Sequence, residues 1–186
     1  WLGWSPQPGT PCWKALHTNF PGALPGPAVL HRTTKALMEY GITPKNTIYG
    51  QSICPDEINN QKGHLADALG EYWGSCFPLG GIGGPPFVGK TGFGAFSHHI
   101  THDGNIVILF GPHVGINEAG EVGKTHRKGQ FGDSTACGAC CAAYNDCLSG
   151  YACTDRHDMQ QQYLRENIRP VHKSIQNTPN PMAALS

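Results

Sequence analysis

Short apolar runs bounded by glycine and proline are the clearest pattern in this chain. The strongest is residues 106–110, five consecutive apolar residues between Gly104 and Gly111. The run is too short and too rich in β-branched residues for a core helix. It therefore predicts a strand that is buried on both faces, in the middle of a sheet. His113 follows where this strand ends, and binding groups of open α/β sheets lie at the carboxyl ends of strands. We expect the functional site around His113.

Further along the chain, helix-like and strand-like patterns alternate. A short strand is expected over residues 45–50, and the pattern of residues 88–99 is ambiguous and also admits a short strand. Helical spacing of apolar positions predicts helices over residues 28–40, 57–76, 136–147 and 159–176, the last broken near Pro170. The alternation predicts an α/β fold: a single domain with a mainly parallel central sheet covered by helices.

Glycine, proline and small polar residues separate these elements. Residues 79–86 and 115–132 are Gly-rich and predict loops. The cluster Asp133-Ser134-Thr135 is typical of a helix N-cap, here for the helix that begins at residue 136. Residues 28–40 are expected to turn one face inward, which carries Leu30, Thr33, Leu37 and Met38.

The two ends of the chain differ in composition from its middle. Residues 1–27 are rich in Pro and Gly and contain Trp1, Trp4 and Trp13. They predict an irregular segment, which is either an arm that packs over a surface of this chain or of a dimer partner, or a disordered leader. The α/β domain is expected over residues 28–158. Residues 159–186 are expected to form a C-terminal helix and a tail, with the last ten residues frayed.

Composition and charge exclude several classes of partner. The 186 residues are enough to bury one core, and 13 basic side chains balance 13 acidic ones. The chain therefore has no electrostatic reason to bind nucleic acid or an anionic membrane. No apolar run approaches the roughly 18 residues of a membrane span. Without an initiator Met or a signal or transit segment, it is expected to be a trimmed or mature form.

Cysteine and histidine are unusually frequent. The chain has 8 Cys and 10 His, and the cysteines follow no repeating spacing. This pattern favours a reduced compartment in which thiols stay unbridged or bind a metal, with zinc as the first candidate.

Residues 84–91 match the phosphate-binding loop of nucleotide hydrolases letter for letter. That loop directs successive backbone N–H groups at phosphate oxygens, and Pro85 and Pro86 have none. Gly92 and Gly94 also disfavour the helix that should follow. Nucleotide hydrolysis is therefore not predicted.

Three possible metal ligands follow elements that should end on one side of a parallel sheet. Cys54 follows the strand at residues 45–50, His113 follows the strand at residues 106–110, and Cys137 lies in the first turn of the helix that begins at residue 136. Two thiolates and one imidazole make a three-ligand zinc site with an open fourth position. Asp56 could orient the group that binds in this position, or accept a proton from it. Taken singly, each residue is better explained without a metal, the two cysteines as core residues and His113 as a loop histidine. A metal-free hydrolase with Cys137 as nucleophile and His113 as base is a further alternative.

Several longer motifs carry a family resemblance between about residues 28 and 144. They are Ser-Ile-Cys-Pro-Asp-Glu-Ile-Asn-Asn at 52–60, Val-Gly-Lys-Thr-Gly-Phe at 88–93, Phe-Ser-His-His at 96–99, Ile-Leu-Phe-Gly-Pro-His-Val-Gly-Ile at 108–116, Glu-Ala-Gly-Glu-Val-Gly at 118–123 and Ser-Thr-Ala-Cys-Gly at 134–138. This set resembles the limiting-CO2-inducible B protein family of algae, also described as theta-type carbonic anhydrases. The resemblance implies a β-carbonic-anhydrase-like fold, a homodimer, and Zn2+ held by Cys54, His113 and Cys137.

The resemblance also implies an activity and a compartment. The activity is that of a lyase, the reversible hydration of CO2 to bicarbonate for inorganic-carbon concentration. Hydroxide on the zinc would attack CO2, and Asp56 would accept its hydrogen bond. The compartment is the chloroplast, in the stroma, the pyrenoid or the thylakoid lumen. The alternative is a non-catalytic zinc-binding member of the same fold that acts as a structural or regulatory subunit.

Departures from the pattern of ordinary β-type enzymes concern Asp56. Those enzymes carry Cys-x-Asp-x-Arg, whereas Ile58 stands here at the Arg position. Arg127 and Arg32 are the candidates to pair with Asp56. An Asp56 without a cationic partner would instead be free to ligate the zinc and close the site. His98 and His99 are candidate proton relays or simply surface histidines.

Overall fold

The structure is a computed structural model of the chain, and it describes residues 6–152 and 155–186. Trp1 and Trp4 of the predicted arm, and Cys153, lie outside the described residues. The chain divides into two compact units. The first contains residues 24–111, and the second contains residues 6–23 together with residues 112–186.

Helices and strands alternate through most of the described chain. The strands are β1 (Thr47–Ser52), β2 (Cys76–Pro78), β3 (Asn105–Phe110), β4 (Lys124–His126) and β5 (Asp133–Thr135). The helices are α1 (Pro11–Asn19), α2 (Gly26–Glu39), α3 (Leu65–Trp73), α4 (Gly89–Ser97), α5 (Gly138–Ser149), α6 (Met159–Ile168), α7 (His172–Gln176) and α8 (Pro181–Ala184), with a 3-10 helix at Glu57–Asn60.

A three-stranded parallel sheet forms the centre of the first unit. Its strand order is β2-β1-β3, with Tyr49 of β1 opposite both Cys76 and Val107. The predicted α/β class with a central parallel sheet is therefore confirmed. The expectation that residues 106–110 lie in the middle of the sheet is wrong, because β3 is an edge strand and Phe110 is 65% exposed. The expectation that both of its faces are buried is also wrong, because no residue of β3 is fully buried. An apolar run indicates a strand, but it does not fix the order of strands.

The core of the first unit joins the sheet to two helices. Tyr49, Leu69 and Trp73 are its buried members. Leu30 and Leu37 of α2 pack against them, as predicted. Other apolar members of this core are Ile42, Leu65, Tyr72, Val107 and Leu109. The inward face of α2 differs from the predicted one, because Thr34 is buried whereas Thr33 and Met38 are exposed.

In the second unit, helices pack together beside a small hairpin. Helix α5 packs on α6, where buried Arg165 donates to Asp146 at 3.0 Å. Strands β4 and β5 pair antiparallel. Helix α1 belongs to this unit, and its Cys12 Sγ lies 3.7 Å from the carbonyl oxygen of Ile116.

Two helical predictions in the first unit need correction. Residues 57–76 are not one helix, since the 3-10 helix and α3 are separated by a turn and Cys76 lies in β2. Residues 89–97 form α4 rather than a strand, with Gly92 and Gly94 inside it. The glycines therefore do not exclude a helix here, although Pro85 and Pro86 still lack the N–H groups of a phosphate loop.

Four predictions for elements of the second unit were also wrong. The arm is not wholly irregular, because Thr10 caps α1 and Pro11 occupies its first turn, a position that suits proline. Residues 115–132 are not only loop, since they include β4. Residues 133–135 form β5 instead of an N-cap. The tail contains α8, capped by the side chain of Asn180. The break near Pro170 is confirmed by the separation of α6 and α7.

None of the helices within residues 6–152 and 155–186 has the length and apolar character that crossing a bilayer requires.

Candidate metal centre

Cys54 lies just beyond the central strand of the parallel sheet. Two loop residues hold Ser52, the last residue of β1. Its carbonyl oxygen accepts a hydrogen bond from Gly111 N–H at 3.2 Å, and its Oγ donates to the carbonyl of Gly84 at 2.8 Å. The side chain of Asn59 donates to the carbonyl oxygen of Cys54 at 3.0 Å. Cys54 is only 5% exposed. The chain direction at this thiol is therefore fixed on both sides.

Asp56 follows in the same turn and begins the 3-10 helix. Its Oδ1 accepts a hydrogen bond from Ile58 N–H at 3.3 Å, and the carboxylate is the N-cap of Glu57–Asn60. This capping contact occupies one carboxylate oxygen and holds the side chain at a defined position.

His113 and Cys137 are held by a triangle of backbone hydrogen bonds in the second unit. Gly115 N–H donates to the Ala136 carbonyl at 2.9 Å, and Ala136 N–H donates to Gly123 at 3.1 Å. Gly123 N–H closes the triangle by donating to Gly115 at 2.8 Å. The loop that carries His113 is thereby tied to the residue that precedes Cys137.

Cys137 is the N-cap of α5 rather than a residue inside its first turn. Its carbonyl oxygen accepts the hydrogen bond of Cys141 N–H at 3.1 Å, which starts the helix. Cys137 is 3% exposed, and both ring nitrogens of His113 are shielded from solvent. A thiolate at this position faces the positive end of the helix dipole.

The predicted ligand atoms lie close together. The sulfur atoms of Cys54 and Cys137 and a ring nitrogen of His113 all fall within 4.8 Å of one another. Two thiols and an imidazole are the donor types that zinc prefers, whereas magnesium and calcium select oxygen. The cluster can therefore bind a metal ion, and its donor set suits zinc.

The surroundings of this cluster include residues that sequence reasoning missed. A small cavity in the second unit is lined by His113, Val114, Gly123, Ala136, Cys137, Cys140, Cys141, Met182, Leu185 and Ser186. Burial, and then the nearby Cys137, raises the pKa of Cys141, so this thiol stays protonated as a packing residue. The part played by Met182 had no sequence signal, because it depends on how the chain returns after more than forty residues.

Other predicted site residues are placed as follows. Arg127 donates through Nη1 to Ser134 Oγ and, at 3.2 Å, to the carbonyl of Thr135, at the hairpin that leads to Cys137. Arg32 is an exposed residue of α2. His98 caps the C-terminus of α4 and His99 stacks edge-on against Phe77 at 5.8 Å, both at the surface.

Comparison with known proteins gives a consistent family. Residues 23–186 match the model of the limiting CO2-inducible proteins B/C beta carbonic anhydrases. The chain belongs to this limiting CO2-inducible B/C family. No curated protein matches the chain.

Solved structures of family members resemble the chain over most of its length. The crystal structure of PtLCIB4, a homolog of the limiting CO2-inducible protein LCIB, is 33% identical, with a TM-score of 0.85 over 92% of this chain and 71% of that chain. A mutant of PtLCIB4 is 31% identical, with a TM-score of 0.86 over 94% of this chain and 71% of that chain. LCIB itself is 24% identical, with a TM-score of 0.69 over 91% of this chain and 72% of that chain, and shares the fold.

Membership in the limiting CO2-inducible B/C family fits the predicted fold and the residues at the centre. The family is one of β-carbonic anhydrases by name, and its model spans Cys54, His113 and Cys137. The β-carbonic-anhydrase-like α/β fold expected from the motifs is confirmed.

Proposed function

We propose that the chain is a zinc-dependent carbonic anhydrase that catalyses the reversible hydration of CO2 to bicarbonate. The observation that carries the proposal is the buried Cys54–His113–Cys137 group, whose ligand atoms lie within 4.8 Å of one another. Membership in a family named for β-carbonic anhydrases supports the same reaction.

Each residue of the centre has a distinct task in this proposal. Cys54, His113 and Cys137 would hold zinc, which in such sites supplies a water of lowered pKa as the nucleophile. Asp56 would accept a hydrogen bond from the reacting water and so orient its lone pair toward CO2. The N-cap contact with Ile58 N–H keeps Asp56 in place for that task. Of the phenylalanines near these elements, Phe87 is half-buried and is the better candidate for an apolar wall, because Phe93 and Phe110 are exposed.

The test combines metal content with stopped-flow CO2 hydration. The wild type is expected to carry about one zinc per chain and to hydrate CO2. Cys54→Ala should lose both the zinc and the activity. Asp56→Ala should keep the zinc and lose about a hundredfold in activity, because it removes only the hydrogen-bond acceptor that orients the reacting water. Cys76→Ala is the matched control, since this exposed cysteine lies outside the cluster.

Two results would overturn the proposal in different ways. Zinc without hydration at any accessible pH would leave the non-catalytic zinc-binding subunit. A protein purified without chelator that holds no zinc would remove both functions and return attention to Cys137 as a nucleophile with His113 as its base.

We also propose that the protein is a homodimer. An apolar groove of about 480 Å3 in the first unit supports this, with α2 on one side and Ile106 and Ile108 of β3 on the other. Sedimentation equilibrium should give twice the chain mass of 20.0 kDa. Ile108→Glu should shift it toward the monomer, because the carboxylate would have to be buried. A wild-type monomer at micromolar concentration would contradict the homodimer.

Location in the chloroplast, in the stroma, pyrenoid or thylakoid lumen, is the last part of the proposal. Family membership is its support. A fluorescent fusion of the full-length protein in the source cell tests it, and signal outside plastids would refute it.

A further inference from the structure

The C-terminal segment closes one side of the cavity that contains His113 and Cys137. Met182, Leu185 and Ser186 line this cavity opposite the start of α5. Met182 and Leu185 are half-buried, whereas the neighbouring Ala184 is exposed. The segment therefore turns two apolar side chains toward the cavity that His113 and Cys137 also line.

Met182 anchors this segment through two close contacts. Its Sδ lies 3.7 Å from Sγ of Cys141, which is buried on α5 one turn beyond Cys137. A Cβ built on Gly123 would lie 3.0 Å from Cγ and 3.2 Å from Cβ of Met182. The side chain thus fills the space between α5 and the loop that carries Gly123.

Gly123 makes room for Met182 and also belongs to the backbone triangle that holds the ligands. Its φ of +89° is unfavourable for other residues, and any side chain would press on Met182. Through Ala136 N–H and its own N–H, Gly123 connects the residue before Cys137 to the loop of His113. A displacement of Met182 would therefore shift the backbone next to both His113 and Cys137.

Helix α8 is stabilised by its own N-terminal residues. Asn180 Oδ1 accepts the hydrogen bond of Ala183 N–H at 3.1 Å, and Pro181 occupies the first turn of α8. This cap fixes a short helix that would not be stable alone. Met182 follows at once, so its direction is set by the cap.

We propose that Met182 is a positioning residue of the metal centre, and that α8 is a wall that keeps water and competing ligands away from His113 and Cys137. The inference rests on the proposed zinc function for its meaning in catalysis. The wall itself is independent of zinc, because it consists of contacts within the protein.

The test compares substitutions at two methionines in two assays. Met182→Ala removes the anchor, and Met159→Ala is the matched control because Met159 is 67% exposed. The first assay is transfer of zinc from the loaded protein to a fluorescent chelator. The second is the rate at which Cys137 of the metal-free protein is alkylated, followed by peptide mass spectrometry.

Met182→Ala is expected to accelerate both rates about tenfold, since it opens the wall beside the ligands. Met159→Ala should leave both unchanged, and Met182→Leu should restore both because it conserves volume. Wild-type rates in folded Met182→Ala would overturn the inference. If Met182→Ala does not fold, Leu185→Ala applies the same criterion from the other side chain of the wall.

Failure of the proposed function would be distinguishable from failure of the wall. A wild type that binds no zinc removes the chelator assay and the zinc proposal, but Cys137 alkylation still decides the wall. Zinc binding with equal alkylation rates in Met182→Ala and Met159→Ala would leave the zinc proposal standing and remove the wall.

Discussion

The end of β1 and the start of α5 each present a buried cysteine, but they do so by different means. Cys54 extends from the central strand of a parallel sheet, and neighbouring strands on both sides fix the chain before it. Cys137 extends from a short hairpin strand, and a triangle of three glycine- and alanine-borne backbone hydrogen bonds fixes it. Regular structure and a local hydrogen-bond network thus provide equivalent precision.

This difference teaches where each region tolerates change. In the sheet, many residue pairs together hold the position of β1, from Thr47 with Asn105 to Ser52 with Phe110. In the triangle, only three residues hold the geometry. A Cβ on Gly115 would overlap the carbonyl oxygen of Lys124, and a Cβ on Gly123 would crowd the side chain of Met182. Both regions nevertheless depend on one close backbone approach next to the cysteine.

The largest effect is expected for Gly80→Ala in the first region. A Cβ there would lie 2.6 Å from the nitrogen of Ile53, the residue before Cys54, and would also overlap its carbonyl oxygen. Backbone cannot move aside cheaply, so the free energy of unfolding should fall by roughly 3–5 kcal/mol. Urea denaturation measures it. Gly70→Ala in α3 is the control, since nothing lies within 4 Å and alanine favours helices. A Gly80→Ala variant as stable as the wild type would show that the backbone at Ile53 can move at little cost.

Gly115→Ala tests the second region in the same way. Its Cβ would lie 2.6 Å from the carbonyl oxygen of Lys124 and 3.1 Å from Cβ of Ala136. The free energy of unfolding should fall by roughly 2–4 kcal/mol, and zinc affinity should fall with it because His113 and Cys137 lose their connection. Gly132→Ala, with nothing within 4 Å, should change neither quantity. A loss of stability without a loss of zinc affinity would separate the triangle from the ligands.

Alkaline pH should destabilise the first region through Tyr49. Burial raises the pKa of Tyr49 to about 12 from 10.0, although its hydrogen bond from Gln51 works in the opposite direction. Since the folded-state pKa is the higher one, the stabilisation is complete below pH 10 and is lost as pH rises toward 12. The loss at the upper limit is roughly 3 kcal/mol. Unfolding followed against pH should therefore move to higher pH in Tyr49→Phe. Tyr40→Phe, at an exposed position, should not move it.

The smallest effect is expected for Ser52→Ala at the end of β1. The buried Oγ donates to the carbonyl of Gly84 at 2.8 Å, and its loss leaves that acceptor unsatisfied. The free energy of unfolding should fall by about 1–2 kcal/mol with the zinc content unchanged, because the strand pairing remains. Ser149→Ala, which removes an exposed hydroxyl contact, is the comparison. A loss of zinc in Ser52→Ala would mean that this single bond aligns Cys54.

The sequence pattern predicted the first region better than the second, for a physical reason. Periodicity and caps are local, so β1 and α2 could be located from neighbouring residues. Strands β4 and β5 have three residues each, too few to show a period, and the packing of α8 brings together residues 41 positions apart in the chain. Helix α1 did carry a local signal, Thr10 followed by Pro11, which the high proline content concealed.

The candidate ligands were predictable because thiol and imidazole chemistry is visible in the residue types themselves. The supporting residues were not, since Gly123 and Met182 have no distinctive chemistry and act only through fit. A ligand can be identified by what it donates, whereas a wall residue is defined by what it touches.

The division of the chain has a consequence for its synthesis. Helix α1 belongs to the same unit as residues 112–186, and its Cys12 contacts Ile116. On the ribosome, residues 24–111 emerge in full before Ile116 does, so the parallel sheet can form while α1 still waits for its partner. Between these two moments α1 exposes its apolar face. A nascent chain arrested when residue 111 but not Ile116 has left the ribosome should therefore depend strongly on chaperones.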